Sequence, residues 1–384
     1  MKRIRQANPP NRRCPSGGRP RSSRTRIASG ILPLAIGLSM LAAAPSLASP
    51  TRVQAPAATA NGVISHPISL GVQRRTLAYW TRQRMESAKA PSILHKVARG
   101  KPGTFHPGKP GRVSGGRPPV IRPIGTTARP DTALGYPFPY TSININPEQY
   151  SDWPYDVNGK IFFTNNGANY VCSGTSVASY HGTKEEDEVW TAGHCVSNTS
   201  LNSPGVWDSN AEFIPAYNGT AKNPAPYGIF VVTRLATVTT FINSGDISED
   251  EGAMEVGTNS LGQTLGNAVG WDGFAWNYPA AEHFTAFGYP AAAPYTGNLM
   301  VEDISSTGGS YSWPGGAGQP LIGIGNPMTG GSSGGAWDIG WSASNPGYID
   351  GHNDYKFFSQ PNAMYSPYQD SLSNRVRCFG ASSC

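Results

Sequence analysis

From Tyr136 onward, apolar and β-branched residues come in short runs, each closed by Gly, Pro, Asn or Asp. The runs are 159–163, 170–172, 188–192, 228–232, 236–241, 253–256, 284–288, 299–301 and 348–349. Runs of this length bounded by turn formers read as strands. No helix-length periodic segment competes with them, apart from a short turn near the C-terminus. The pattern constrains 136–384 to an all-β body of about 250 residues, in which many short strands close into barrels or a sandwich. Composition agrees: 46 Gly, 34 Pro and only 14% charged residues suit a turn-rich β body better than a helical bundle.

Charge divides the chain at the same place. Up to Gly135 there are 23 Lys and Arg against 2 acids, a net of +21. From Tyr136 there are 7 against 22, a net of −15. The overall +6 is therefore no sign of a nucleic-acid binder, because the acidic body repels phosphate. Residues 1–48 have the form of a secretory signal peptide. A basic stretch ends at Arg26, an apolar run follows from Ile31 to Ala44, and Ser46-Leu47-Ala48 offers small residues for cleavage. The run is interrupted by Pro33 and Gly37 and is short for a membrane span; an uncleaved anchor is the alternative. No other run is long enough to cross a bilayer, so the expectation is a secreted, extracellular protein without stable membrane association once the signal is removed. Residues 49–135 are basic and rich in Pro and Gly, which reads as a linker or a propeptide. Attraction to the oppositely charged body favours the propeptide. Within this segment, 77–88 is a moderately amphipathic helix candidate.

The chemistry centres on Thr329-Gly330-Gly331-Ser332-Ser333-Gly334-Gly335-Ala336-Trp337. Glycines around a serine allow a tight turn with an exposed Oγ and uncovered amides, which nucleophilic serine chemistry needs. A flexible Gly/Ser linker has the same composition. A serine nucleophile also needs a base. Of seven histidines, His194 has the distinctive setting, Trp190-Thr191-Ala192-Gly193-His194-Cys195, where a strand ends at small residues and a cysteine follows the imidazole. If Cys14 leaves with the signal, Cys172, Cys195, Cys378 and Cys384 remain, an even number that fits two disulfides in any of three pairings. No Cys/His cluster has zinc spacing, and no cofactor is implied.

Thr191-Ala192-Gly193-His194-Cys195 together with Gly331-Ser332-Ser333-Gly334-Gly335 resembles the chymotrypsin/trypsin-like serine endopeptidases, most of all secreted bacterial members of the glutamyl-endopeptidase-like branch. Cys172-Ser173-Gly174-Thr175 looks like the family's cysteine strand, and Tyr79-Trp80-Thr81 with Arg84-Met85 is similar to a stretch that precedes the protease body in that branch. The resemblance implies two six-stranded antiparallel β-barrels, about 136–265 and 266–384, with the active site between them. It implies disulfides 172–195 and 378–384. It implies a His, Asp, Ser order, which places the acid between 194 and 333. Asp250-Glu251-Gly252-Ala253-Met254 resembles the family's aspartate strand, with Asp246 as the alternative. The implied roles are Ser333 as nucleophile, His194 as base, Asp250 as its orienting acid, and the amides of Gly331 and Ser333 as the oxyanion hole.

Two positions depart from trypsin. Ser332 stands where trypsin-like zymogens carry an activating Asp, so activation by an ion pair with a new N-terminus is not expected, and a propeptide acts by blocking or by assisting folding. Pro327, followed by Met328, stands where an Asp selects Arg or Lys, so a basic side chain finds no countercharge. His352 falls near the place where glutamyl endopeptidases carry a pocket histidine, which points to acidic side chains; a surface-loop histidine is the alternative. The expected function is a secreted, monomeric serine endopeptidase acting on proteins or peptides, with its own propeptide as a second partner. A catalytically silent binding protein on the same fold is the competing reading.

Overall fold

The computed structural model describes residues 58–60, 62–95, 102–118, 131–133, 138–180, 187–199 and 204–381. The signal-peptide reading of 1–48 and Cys384 lie outside these residues.

The first sheet closes on itself. Strands Phe230–Val238, Ser209–Pro215, Asn158–Asn165, Ala168–Val177, Glu188–Ala192 and Glu251–Val256 pair antiparallel in that order, and Glu251–Val256 pairs back onto Phe230–Val238. The result is a six-stranded antiparallel barrel. The core inside it includes Ile161, Phe213, Phe230, Leu235 and Met254, all fully buried. Six short strands can form a stable unit here because closure leaves few unpaired edges.

The second sheet has ten strands. Its main path runs through Ala363–Ser366, Leu321–Gly325, Val301–Tyr311, His283–Gly288, Ala336–Ile339, Tyr348–His352 and Gly273–Trp276. It covers a core built on Phe284, Trp337, Ile324 and Tyr365. Gly273–Trp276 pairs with Tyr348–His352 in parallel, where the sequence had implied antiparallel pairing throughout. Tyr140–Asn144, although early in the chain, pairs with Val301–Tyr311 and so belongs to the second sheet. The two sheets match the expected double-barrel architecture of mostly β-structure with few helices.

The basic N-terminal segment is laid on this body. Val63–Pro67 pairs with 234–238 of Phe230–Val238, and Gly111–Val113 pairs with Gly273–Trp276. The single helix expected over 77–88 is instead two, Leu70–Tyr79 and Arg82–Glu86. The break has a physical cause. Trp80 is drawn into the core beside Phe162, its indole N–H donating to the Asn210 carbonyl at 2.6 Å, and its backbone is extended. Thr81 then caps the second helix by accepting from the Arg84 amide.

Candidate active site

His194 sits on a 3₁₀ turn, Gly193–Cys195, at the end of strand Glu188–Ala192. The next residue, Cys195, is bonded to Cys172 on the neighbouring strand, with an S–S distance of 2.03 Å. The 172–195 pairing implied by the sequence therefore holds. Cys378 is also disulfide-bonded; its expected partner, Cys384, lies outside the described residues.

The acid follows from register. Glu251 pairs with Ala192, so the residue before Glu251 comes alongside the turn that carries the histidine. Asp250 uses both oxygens there: Oδ1 accepts from the His194 amide at 2.7 Å, and Oδ2 lies 2.9 Å from His194 Nδ1. Asp246, the alternative, is occupied elsewhere. Its Oδ1 accepts from the amide and hydroxyl of Ser248, and its Oδ2 accepts from the Ala317 amide. Burial pushes the Asp250 carboxyl up, but His194 outweighs it and holds the group below the usual range. Burial opposes a charged His194, yet Asp250 raises its pKa, with a further push from Asp354.

The serine lies on a turn that only this sequence of small residues can make. Gly331 has φ +97°, and a Cβ there would meet the Tyr289 carbonyl at 2.9 Å. Gly334 has φ +80°, and a Cβ would sit 2.0 Å from Thr191 Oγ1. The Ser333 carbonyl accepts from the Ser173 amide at 2.7 Å, tying the turn to the strand of Cys172. The amides of Gly331 and Ser333 have no hydrogen-bond acceptor among the described residues. Ser333 Oγ and His194 Nε2 are both buried and neither makes a hydrogen bond, to each other or to another described group. Ser332, the departure from trypsin, is fully buried and donates its hydroxyl proton to the Thr329 carbonyl at 2.9 Å, closing the turn locally.

A cavity of about 390 Å³ opens beside His194, lined by His194, Asp250, Asp354 and Trp313 on the body and by Pro91 and Ile93 of the N-terminal segment. The segment crosses it from wall to wall. On one side the Lys89 amide donates to Asn169 O and the Val171 amide donates to Lys89 O. On the other the Lys356 amide donates to Ile93 O at 2.7 Å, and Leu94–His95 pairs in parallel with Lys356–Phe357. Between these ends the Pro91 carbonyl packs so closely on Gly330 that a Cβ there would be 2.2 Å away. Sequence reasoning missed Lys89–His95 and Lys356. Only the fold joins residues so far apart in the chain.

His352 is fully buried, its Nε2 lies 3.0 Å from the Asp250 carbonyl oxygen, and its ring meets Trp190 edge-on. Burial drives its pKa down to about 4, so it is neutral. It buttresses the aspartate; like Ser333, Pro327 and Met328, it is not among the residues lining the cavity beside His194. Tyr348–His352 pairs with Ala336–Ile339, which directs the His352 position into the interior.

No protein-family model matches the chain. No curated protein matches it either. Solved structures do. A thermostable serine protease, AL20, from an extremophilic microorganism is 30% identical over 60% of this chain and 98% of its own, with a TM-score of 0.51. The protease Anisep from Arthrobacter nicotinovorans is 34% identical over 59% of this chain and 96% of its own, with a TM-score of 0.49. A Glu endopeptidase is 19% identical over 67% of this chain and 97% of its own, with a TM-score of 0.42, too remote to bear on specificity. With the closed antiparallel barrel, the second sheet and near-complete coverage of the AL20 protease, the chain belongs to the chymotrypsin-like serine protease family.

Proposed function

We propose that this chain is a secreted serine endopeptidase made in a latent form. The observation that carries the reading is the double hold of Asp250 on His194, through the backbone amide and Nδ1, beside a serine turn whose two amides are free. Such an arrangement fixes one imidazole tautomer and offers donors to a developing oxyanion. Ser333 Oγ attacks the scissile carbonyl, His194 takes its proton and returns it to the leaving amine, and Asp250 stabilises the imidazolium. The disulfide and the signal-like N-terminus support secretion.

Latency rests on residues 89–95. They cross and wall the cleft beside His194, yet among the described residues no carbonyl of this strap bonds to the Gly331 or Ser333 amides. The strap blocks the cleft without being presented as a substrate. Ser332, bonded within its own turn, leaves no carboxylate for activation by an ion pair. With Pro327 uncharged, side chains of Arg and Lys are poor substrates. His352, buried, neutral and engaged with Asp250, lends no charge to a preference for acidic ones.

Labelling with a fluorophosphonate probe tests the activity. The processed secreted protein takes one adduct on Ser333, and Ser333→Ala takes none. A processed protein that takes no adduct and cleaves no casein is the silent binding protein instead.

A further inference from the structure

Asp354 places a second buried carboxyl against the histidine that Asp250 already holds. Its Oδ1 lies 3.3 Å from His194 Nδ1, the atom that Asp250 Oδ2 approaches at 2.9 Å, and its side chain is 1% exposed. Among the described residues, neither Asp354 oxygen has a well-formed hydrogen-bond partner. The position is rigid. The adjoining Asn353 exchanges backbone hydrogen bonds with Gly334 and Gly335 of the serine turn, and its side chain binds Trp337, Asn326 and Phe287. The Asp354 amide itself donates to Tyr365 O at 3.1 Å. The carboxyl is thus carried on the peptide that joins the serine turn to the histidine.

We propose that Asp354 is a positioning residue of the proposed triad, a neutral carboxylic acid that lies beside Asp250 at His194 Nδ1, confines the ring at that atom and couples its own proton to that of the imidazole. This rests on the protease reading above. Two carboxylates cannot both ionise cheaply against one buried imidazole. Asp250 accepts two N–H donors and keeps the negative charge, whereas Asp354 accepts no well-formed hydrogen bond and keeps the proton. Burial, and then the charge of Asp250, push Asp354 well above the usual carboxylate range. The other titratable groups around this cluster, among the described residues, include His352 behind Asp250, the buried Glu251 next to it, Tyr355 beside Asp354, and Asp208, which feels the charge of His194. The proton balance is simple. With one proton shared, the site holds either neutral His194 with protonated Asp354, which is competent, or imidazolium with ionised Asp354, which is not. The second state raises the pH at which the base becomes available.

The test is the second-order rate of fluorophosphonate labelling of the processed secreted protein as a function of pH, for wild type, Asp354→Asn and Asp354→Ala, with thermal melts alongside. Asn is permanently neutral and similar in shape. The expected result is that Asp354→Ala lowers the plateau rate about tenfold, and that Asp354→Asn recovers part of that loss. The acid limb of the Asn profile moves to lower pH by roughly half a unit or more, because one competing charge has gone. A limb that stays at the wild-type pH in Asp354→Asn overturns the proposal, as does an Ala variant labelled at the wild-type rate. If Asp354→Ala does not fold, the Asn profile decides alone. A wild type that takes no adduct defeats the protease reading itself, whereas a labelled wild type with an unmoved limb defeats only the role of Asp354.

Discussion

The barrel body and the N-terminal segment are held by different forces. The body is built on fully buried cores, with Trp190, Phe213 and Trp337 all inaccessible to solvent. The segment adds strands to existing edges, as at Val63–Pro67 and Gly111–Val113, and plants a few anchors such as Trp80 and Met85. Several of its larger apolar side chains remain outside: Leu70 and Leu77 are 68% and 56% exposed. A part held by edge pairing, a few anchors and opposite charge can be released while a part held by closed cores persists. That is what a latent enzyme requires of its pro-segment and of its catalytic body.

The largest expected effect separates chemistry from architecture. Ser333→Ala loses activity on the order of a thousandfold or more, while its melting temperature stays within a few degrees of the wild type, since only one hydroxyl without a hydrogen bond is removed. A melting curve that shifted as far as the activity would show that the turn is structural.

Next is release of the strap. Ile93→Asp puts a charge into the buried floor of the cleft, and Trp80→Ala removes the anchor ahead of it. In full-length precursor, each raises the labelling rate of Ser333 by about tenfold or more, the scale set by a loss of roughly 1.4 kcal/mol in strap affinity. Trp190→Ala, in the body, gives the opposite outcome, a loss of about 3–5 kcal/mol in stability and no gain in labelling. Equal behaviour of the two tryptophan variants would erase the distinction between segment and body.

The body also carries buried carboxyls, and these set its response to pH. Burial pushes Glu212 and Asp338 up to about 8 and Glu302 up to about 7. In the native state they keep protons that the unfolded chain releases near the ordinary carboxyl values, so their contribution to stability is full below about pH 4 and is lost as pH rises through 7 to 8. Lys160 and Lys356, pushed down to about 7 by burial, act in the opposite sense above pH 7. In thermal melts of the processed body between pH 5 and 8, Glu212→Gln therefore makes the change of melting temperature with pH less downward than in the wild type. A Glu212→Gln profile parallel to the wild type's contradicts this.

The smallest effect concerns long-range attraction. Raising salt from about 0.05 to 0.5 M shortens the screening length to a few ångströms. Labelling of the precursor then increases by no more than about threefold, because backbone pairing and Trp80 hold the strap at close range. A larger increase would make charge the principal clamp.

Much of the candidate site was legible in the chain. A turn of small residues around Ser333, a histidine followed by a cysteine, and an aspartate opening a strand are local requirements, and each leaves a local mark. The burial of His352 against Trp190 and Asp250 was not legible, because its neighbours in sequence carry no mark of it. The helix over 77–88 was misread because the pull of Phe162 and Asn210 on Trp80 comes from far along the chain.

The sequence by itself determined the β architecture, the division of charge, and Ser333, His194 and one of Asp250 and Asp246 as the candidates to bring together, because strand length, turn chemistry and small-residue motifs act over a few neighbours. Only the tertiary structure decided that Asp250 rather than Asp246 meets the imidazole, that Asp354 shares it, and that residues 89–95 lie across the cleft. Those outcomes depend on strand register and on pairing between distant segments, and nothing local in the chain encodes which edge a distant strand will find.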